Sequence, residues 1–261
     1  MNKAYPLGQT GYLFDLNGLR VVVDPYLTDS VADQFGEALR RQSRPTLEAE
    51  ELTEVSWVLV THAHLDHADP ASLAAVAKAS SAAVFVIPYE CESILLDTGI
   101  TASRIRIVTA GDVIELGGGA TLTVIPAAHT ERERDELGRD RYLGFYLKTA
   151  EVAIYHAGDT IPHEDLFRSL EGLVVDFAFL PVNERNFFRH KAGIVGNMTP
   201  REAFAFAEEI KARVLVPTHW DLFAPNSTFP WEVECLYGVQ RPSFTLTFMP
   251  SGACYALSAG K

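Results

Sequence analysis

Three histidines and an aspartate fall within six positions, in Thr61-His62-Ala63-His64-Leu65-Asp66-His67, and no other feature constrains the chain as tightly. The run directly follows Trp57-Val58-Leu59-Val60, an apolar stretch that reads as a buried strand. It directly precedes Asp69-Pro70, where Asp69 is a good N-cap and Pro70 suits the first helical position, so a helix is expected over 70–79. The histidines therefore sit on a strand-to-helix loop. Such a loop can aim alternate side chains into one cleft, so that His62 and His64 share one metal while the adjacent Asp66 and His67 turn to a second. Imidazole nitrogens and carboxylate oxygens together suit zinc, manganese or iron. A structural zinc more often uses cysteine, and Cys91, Cys235 and Cys254 all lie far from the run.

The same arrangement recurs along the chain. His129 follows Val124-Ile125-Pro126, Asp159 follows the apolar run 152–155 inside His156-Ala157-Gly158-Asp159-Thr160, and His219 follows Val214-Leu215-Val216-Pro217-Thr218. Ligands at the ends of neighbouring strands converge on one edge of a sheet, where small-molecule sites commonly lie. Further strands are expected at 21–23, 84–87, 104–108, 122–125, 143–148, 177–180 and 244–248, with a hairpin turn at 149–151. Pro217 is expected to stop the strand at 214–216. Helices are expected at 90–96, at 200–211 behind the capping box Thr199-Pro200-Arg201-Glu202, and at 229–238. Two sheets packed face to face with helices outside satisfy this pattern, as a single domain over residues 1–261.

Composition removes several classes of function. The chain has 34 acidic against 22 basic residues and a net charge of -12, which argues against a nucleic-acid partner and against docking on an anionic membrane. At 48% hydrophobic and 10% aromatic it is an ordinary globular mixture. Nothing approaches the run of about 18 apolar residues that a membrane span needs. Residues 1–16 carry one lysine and no sustained apolar core, so no signal peptide is expected. Three scattered cysteines without CxxC spacing fit a reducing cytoplasm.

His62-Ala63-His64-Leu65-Asp66-His67, together with His129, Asp159 in its Gly-Asp-Thr setting and His219, resembles the metallo-β-lactamase superfamily, from Gly11 to about Phe248. The resemblance implies a four-layer αββα sandwich with one or two divalent metal ions along one edge. It implies that His62, His64 and His129 hold the first metal, that Asp66, His67 and His219 hold the second, and that Asp159 bridges both. It further implies a metal-bound hydroxide as nucleophile, with Asp66 essential to catalysis. Asp24 matches the strand-end aspartate of that superfamily. It is expected either to accept a hydrogen bond from a ligating imidazole, His64 for example, or to cap the turn beside Pro25.

Within the superfamily, the segment 181–190, the element Gly196-Asn197-Met198-Thr199-Pro200, the opening 8–12 and the late Pro217-Thr218-His219-Trp220-Asp221 resemble the L-ascorbate-6-phosphate lactonase group. That implies hydrolysis of a lactone of a phosphorylated sugar acid, an anionic small-molecule substrate and a homo-oligomer. A phosphate would need a cationic grip, for which Arg185, Arg189 and His190 are candidates, with Asn183, Asn197 and Thr199 as neutral hydrogen-bonding partners. Arg185 and Arg189 could equally form surface ion pairs with acids such as Glu184. Competing readings are a phosphodiesterase or other ester hydrolase of the same fold, and a non-catalytic binding relative. The charged stretch 131–141 reads either as a flap over the metals or as a salt-bridge lattice. Tyr26, Phe187, Phe188, Trp220 and Phe223 could line a substrate mouth or belong to the core.

Overall fold

The computed structural model describes residues 1–258, and its apolar runs form two seven-stranded sheets. The chain fills one sheet and then the other. The first holds β1 (Lys3–Gly8), β2 (Gly11–Leu16), β3 (Leu19–Val23), β4 (Trp57–Leu59), β5 (Val84–Ile87) and β6 (Ile105–Ile107). The second holds β7 (Val113–Gly117), β8 (Ala120–Pro126), β9 (Leu143–Lys148), β10 (Ala153–His156), β11 (Phe177–Pro181), β12 (Val214–Thr218) and β13 (Thr245–Leu246). A last short strand, β14 (Tyr255–Ala256), returns to pair with β1.

Strict alternation along buried strands builds the layers. Val21 and Val23 of β3 enter the core between the sheets, where they join Phe145, Ile154 and Phe179 of the second sheet. Val22 points the other way, onto Leu73 and Val76 of the helix α2 named below. Phe177 and Phe179 of β11 likewise face the inter-sheet core, while Ala178 and Leu180 face an outer cluster containing Phe204 and Phe206. A strand buried on both faces reads as a continuous apolar run because successive side chains serve two different cores. Each fully buried valine or phenylalanine contributes roughly 1.5–3 kcal/mol.

Helices α1 (Ser30–Phe35), α2 (Pro70–Ala79), α3 (Glu92–Asp97), α4 (Glu164–Leu170), α5 (Phe187–Lys191), α6 (Pro200–Glu209) and α7 (Pro230–Gln240) complete the fold. The N-termini of α2 and α6 follow from their caps. Asp69 accepts a hydrogen bond from the Ser72 amide, and Thr199 and Glu202 form the reciprocal capping box. The result is a four-layer αββα sandwich, the architecture that the resemblance implies. No helix among the described residues is long and apolar enough to cross a membrane.

The structure departs from the sequence expectation in several places: α1 and α5 lie where no helix was expected, and the strand expected at 244–248 is reduced to Thr245–Leu246. Strands β1, β2, β7 and β14 lie where none was expected. Pro217 does not stop β12, which runs on to Thr218 with Pro217 opposite Leu180. On its other side β12 is paired only at Val214 and Leu215, so the missing proline N–H meets no partner strand.

Strands β3, β4 and β5 run parallel to one another, as do β10, β11 and β12, and β8 points the same way as β10 through the antiparallel β9 between them. The loops after β3, β4, β8, β10 and β12 therefore emerge at one edge of the sandwich. A hydrogen bond from the Leu143 amide to the Thr61 carbonyl, 3.0 Å, ties the two sheets together there.

Candidate metal centre

The loops after β4, β8, β10 and β12 contribute the donors, and the loop after β3 brings Asp24 beside them. His62, His64 and His129 bring ligand atoms within 4.8 Å of one another, and Asp66, His67 and His219 do the same. A third group, His62, His67 and Asp159, joins the two. Asp159 Oδ2 lies 3.3 Å from Nε2 of both His129 and His219, and its Oδ1 lies 3.5 Å from His67 Nε2. The sheet edge thus gathers all seven residues into two adjoining clusters, with the Asp159 carboxylate reaching into both.

The backbone is bent to achieve this. Gly158 has φ +60°, and a Cβ there would come within 2.8 Å of the Leu143 carbonyl oxygen and the Thr61 side chain. Glycine lets Asp159 approach the β4 loop. His219, Asp24 and Gln9 hold positive φ values of 59°, 43° and 59° without being glycine. Left-handed backbone at three non-glycine residues around one site is the kind of strain that surrounding structure must impose. Part of that structure is the Gln9 carbonyl, which accepts the His219 amide at 2.9 Å.

His62, His64, Asp66 and Asp159 are in the chemical state that a cation requires. Burial holds His62 well below the ordinary imidazole range, reinforced by His67 and His64, and burial beside His129 lowers His64 to about 4. Both rings are neutral and keep a lone pair. Burial alone would raise Asp159, but His219 and His67 hold it well below the usual carboxylate range. His67 is the exception. Burial opposes a charge on it, yet Asp159, Asp66 and Asp24 overcome that and push it up to about 10, so without a metal the acids draw a proton onto His67. His67 Nε2 and Asp159 Oδ1 are buried without a hydrogen-bond partner. Neutral His62 and His64, the ionised carboxylates of Asp66 and Asp159, and the orphaned buried atoms of His67 and Asp159 fit one or two divalent cations.

The buried Asp24 carboxylate contacts His67, not His64. Its Oδ2 is 2.8 Å from His67 Nδ1, it accepts the Thr61 hydroxyl at 2.7 Å, and Oδ1 accepts the Thr61 amide at 2.8 Å. A carboxylate on Nδ1 presents Nε2 of the same ring to the metal position. His156 Nε2 faces the Thr10 carbonyl at 2.8 Å, and the ring packs against Phe179, which makes it part of the core.

Three contributors were not singled out from sequence. Gln9 donates its side-chain amide to Asp66 Oδ2 at 2.7 Å and lies 3.0 Å from His219 Nε2. Thr10 Oγ1 contacts Asp24 and His67. Tyr142 packs its ring 5.4 to 6.1 Å from those of His62, His64 and His129. Gln9 and Thr10 lie in the 8–12 segment, whose resemblance was the available signal. Tyr142 carried none.

The clusters form the floor of a groove of about 540 Å³. None of Asn183, Arg185, Arg189, His190, Asn197 and Thr199 lines it. Arg185 is paired with Glu202 and with the Asn197 carbonyl at 2.9 Å. Arg189 donates to the carbonyls of Glu184 and Ser227. Buried Asn183 and Asn197 bond to each other at 3.0 Å, Thr199 caps α6, and His190 is exposed. A Cβ at Gly196 would stand 2.3 Å from the Glu184 carbonyl oxygen. The Gly-Asn-Met-Thr element therefore acts as a brace: close backbone approach, buried amide pair, buried Met198 and helix cap. The arginines are committed to that brace because backbone carbonyls and Glu202 lie within their reach. The stretch 131–141 forms a salt-bridge lattice, with Arg132 on Asp140 and Asp165, and Arg141 on Glu90 and Glu133.

A sequence profile described as the β-lactamase superfamily domain matches residues 19–220. A UPF0173 metal-dependent hydrolase of Pyrobaculum aerophilum is 29% identical over 216 residues, 83% of each chain. One from Pyrococcus horikoshii is 29% identical over 241 residues, 91% of this chain and 93% of that protein. Among solved structures, a metallo hydrolase from Ignicoccus hospitalis superposes with a TM-score of 0.73 at 19% identity, covering 97% of both chains. An isothiocyanate hydrolase from Delia radicum gut bacteria superposes with a TM-score of 0.77 at 18% identity, covering 99% of this chain and 100% of that one.

Proposed function

The chain belongs to the β-lactamase superfamily and is a metal-dependent hydrolase of that fold, and we propose that it opens lactones or closely related carboxylic esters. The observation that carries this reading is the pair of donor clusters joined by Asp159 on the floor of one groove. His62, His64 and His129 would hold one cation, Asp66, His67 and His219 the other, and Asp159 would touch both. Such cations, when bound, make a bound water acidic and offset negative charge developing on an attacked carbonyl oxygen.

The chain's own groups do the rest. Asp24 and Thr10 fix the His67 ring, and Gln9 fixes the Asp66 carboxylate. Asp66 is the catalytic candidate because its side chain is 19% exposed to the groove, whereas Asp159 is 3% exposed. In the metal-free site His67 and His219 hold Asp66 below the usual carboxylate range against the effect of burial. Its position at the groove floor lets its carboxylate accept a proton from the attacking water and return it to the leaving alkoxide. A phosphorylated substrate has lost its expected support, since Arg185 and Arg189 are bonded elsewhere. The three unpaired cysteines fit the cytoplasm that we propose as its compartment.

The test is metal analysis of the purified protein with a screen of lactones, thioesters and phosphodiesters, repeated on Asp66→Ala. Lactone opening that needs metal and is lost in Asp66→Ala supports the reading. Full activity in a metal-free sample, or turnover of phosphodiesters alone, overturns it.

A further inference from the structure

Above its floor the groove is apolar, and no cationic side chain among the described residues lines it. Its walls come from Val31 and Phe35 on α1, Leu39 beyond it, Ile94 on α3, and Ile194 and Val195 after α5. Phe35 is 61% exposed and Val195 is 41% exposed, so apolar surface is left open to water at the rim. Among the described residues the only ionisable groups in the lining are His64, Asp66, His129, Asp159 and His219, all of them proposed metal ligands, and the side-chain amides Gln34 and Asn226 are neutral.

Lys191, exposed at the end of α5, lies outside the lining, and the guanidinium groups of the surrounding segments are occupied. Arg132, Arg139 and Arg141 are ion-paired, Arg185 and Arg189 serve the brace, and Arg41 is bonded to the carbonyls of Ser43, Leu7 and Tyr26. A phosphate or carboxylate drawn into this groove would lose water and find positive charge only in cations held at the floor, where the ester carbonyl must sit, and none on the walls.

We infer that the substrate is electrically neutral and carries an alkyl or aryl group, which packs between α1 and residues 194–195 while its ester carbonyl meets the floor. This rests on the reading of the groove as the catalytic site of an ester-opening enzyme. Burying apolar substrate surface against these walls stabilises the complex. A charged substituent gains nothing comparable there.

Two measurements test it, one of them independent of turnover. The metal-loaded full chain is assayed on a neutral alkyl lactone, γ-decanolactone, and on an anionic one, 6-phosphogluconolactone. A kcat/KM higher for the neutral lactone by roughly 100-fold is expected, narrowing when Val195→Arg places a cation on the rim. The metal-free chain is titrated with the neutral fluorophore N-phenyl-1-naphthylamine. Binding that is lost in Phe35→Asp and in Val195→Asp is expected, and both rim positions are exposed enough to accept the change. Preference for the phosphorylated lactone, or fluorophore binding indifferent to both aspartates, overturns the inference. Failure to open either lactone while fluorophore binding still depends on Phe35 and Val195 overturns the ester-opening reading and supports the apolar groove.

Discussion

Asp24 Oδ2 lies 2.8 Å from His67 Nδ1, and both side chains are fully buried. The same carboxylate accepts the amide and hydroxyl of Thr61, at the head of the loop that carries four of the seven proposed ligands. One buried side chain thus orients a ligand ring and anchors the loop that presents it. Asp24→Ala should lower metal affinity about 10- to 100-fold, read by chelator competition. It should also cost about 1–3 kcal/mol in denaturant unfolding, since the Thr61 amide loses its partner. Unchanged metal affinity would return Asp24 to a turn-capping role.

Asp159 reaches both clusters, whereas His64 belongs to one. Removing them should have different stoichiometric effects, measured by elemental analysis after reconstitution. His64→Ala should keep the Asp66, His67 and His219 cluster and lose metal from the other. Asp159→Ala should deplete both. Chelation of the wild-type protein should also lower its melting temperature, because cation binding to the folded state alone stabilises it. Equal loss of metal in the two variants would contradict the two-cluster arrangement.

The ligands were legible because each sits where an apolar run ends, and a run buried on both faces is the clearest strand signal. His129, Asp159 and His219 lie far apart in sequence, yet strand direction alone returns them to one edge. The groups around them left less trace. Gln9 and Tyr142 matter through the third dimension: Gln9 crosses from a β1–β2 turn to Asp66, and Tyr142 is brought against His62 by the β9 edge. Arg185 shows the opposite failure. Its type suggests a phosphate grip, but the close approach of Gly196 to Glu184 brings the Asn197 carbonyl and Glu202 within reach first. Residue type records what a side chain can bind, while packing decides what it does bind.

Arg185 gives a direct check on that point. Its pair with Glu202 is solvent-accessible, with side chains 41% and 33% exposed, and is worth no more than about 1 kcal/mol; with the lost hydrogen bond to the Asn197 carbonyl, Arg185→Ala should cost about 1–2 kcal/mol. It should leave KM unchanged for neutral and phosphorylated lactones alike. A large KM increase confined to the phosphorylated substrate would restore Arg185 as a phosphate contact.

Asp140 should make the 131–141 lattice dependent on pH. Burial by itself would raise this carboxyl, but hydrogen bonds from Arg132, Thr109 and Arg134 outweigh it and hold the folded-state pKa below the ordinary value. A depressed folded pKa contributes stability that is fully present above the unfolded value, about 3.9 for aspartate. That contribution is lost as pH falls through the folded pKa, where the carboxyl protonates and Arg132 loses its charged partner. Asp140→Asn should therefore be less stable than wild type by about 1–3 kcal/mol at pH 7, since it breaks hydrogen bonds to charged groups. The gap should hold down to about pH 5 and close below about pH 4. Chemical unfolding of both proteins across that range is the measurement. A gap that stays constant into strong acid would mean that Asp140 serves by shape and neutral hydrogen bonding, and that its charge does not hold the lattice beside His129.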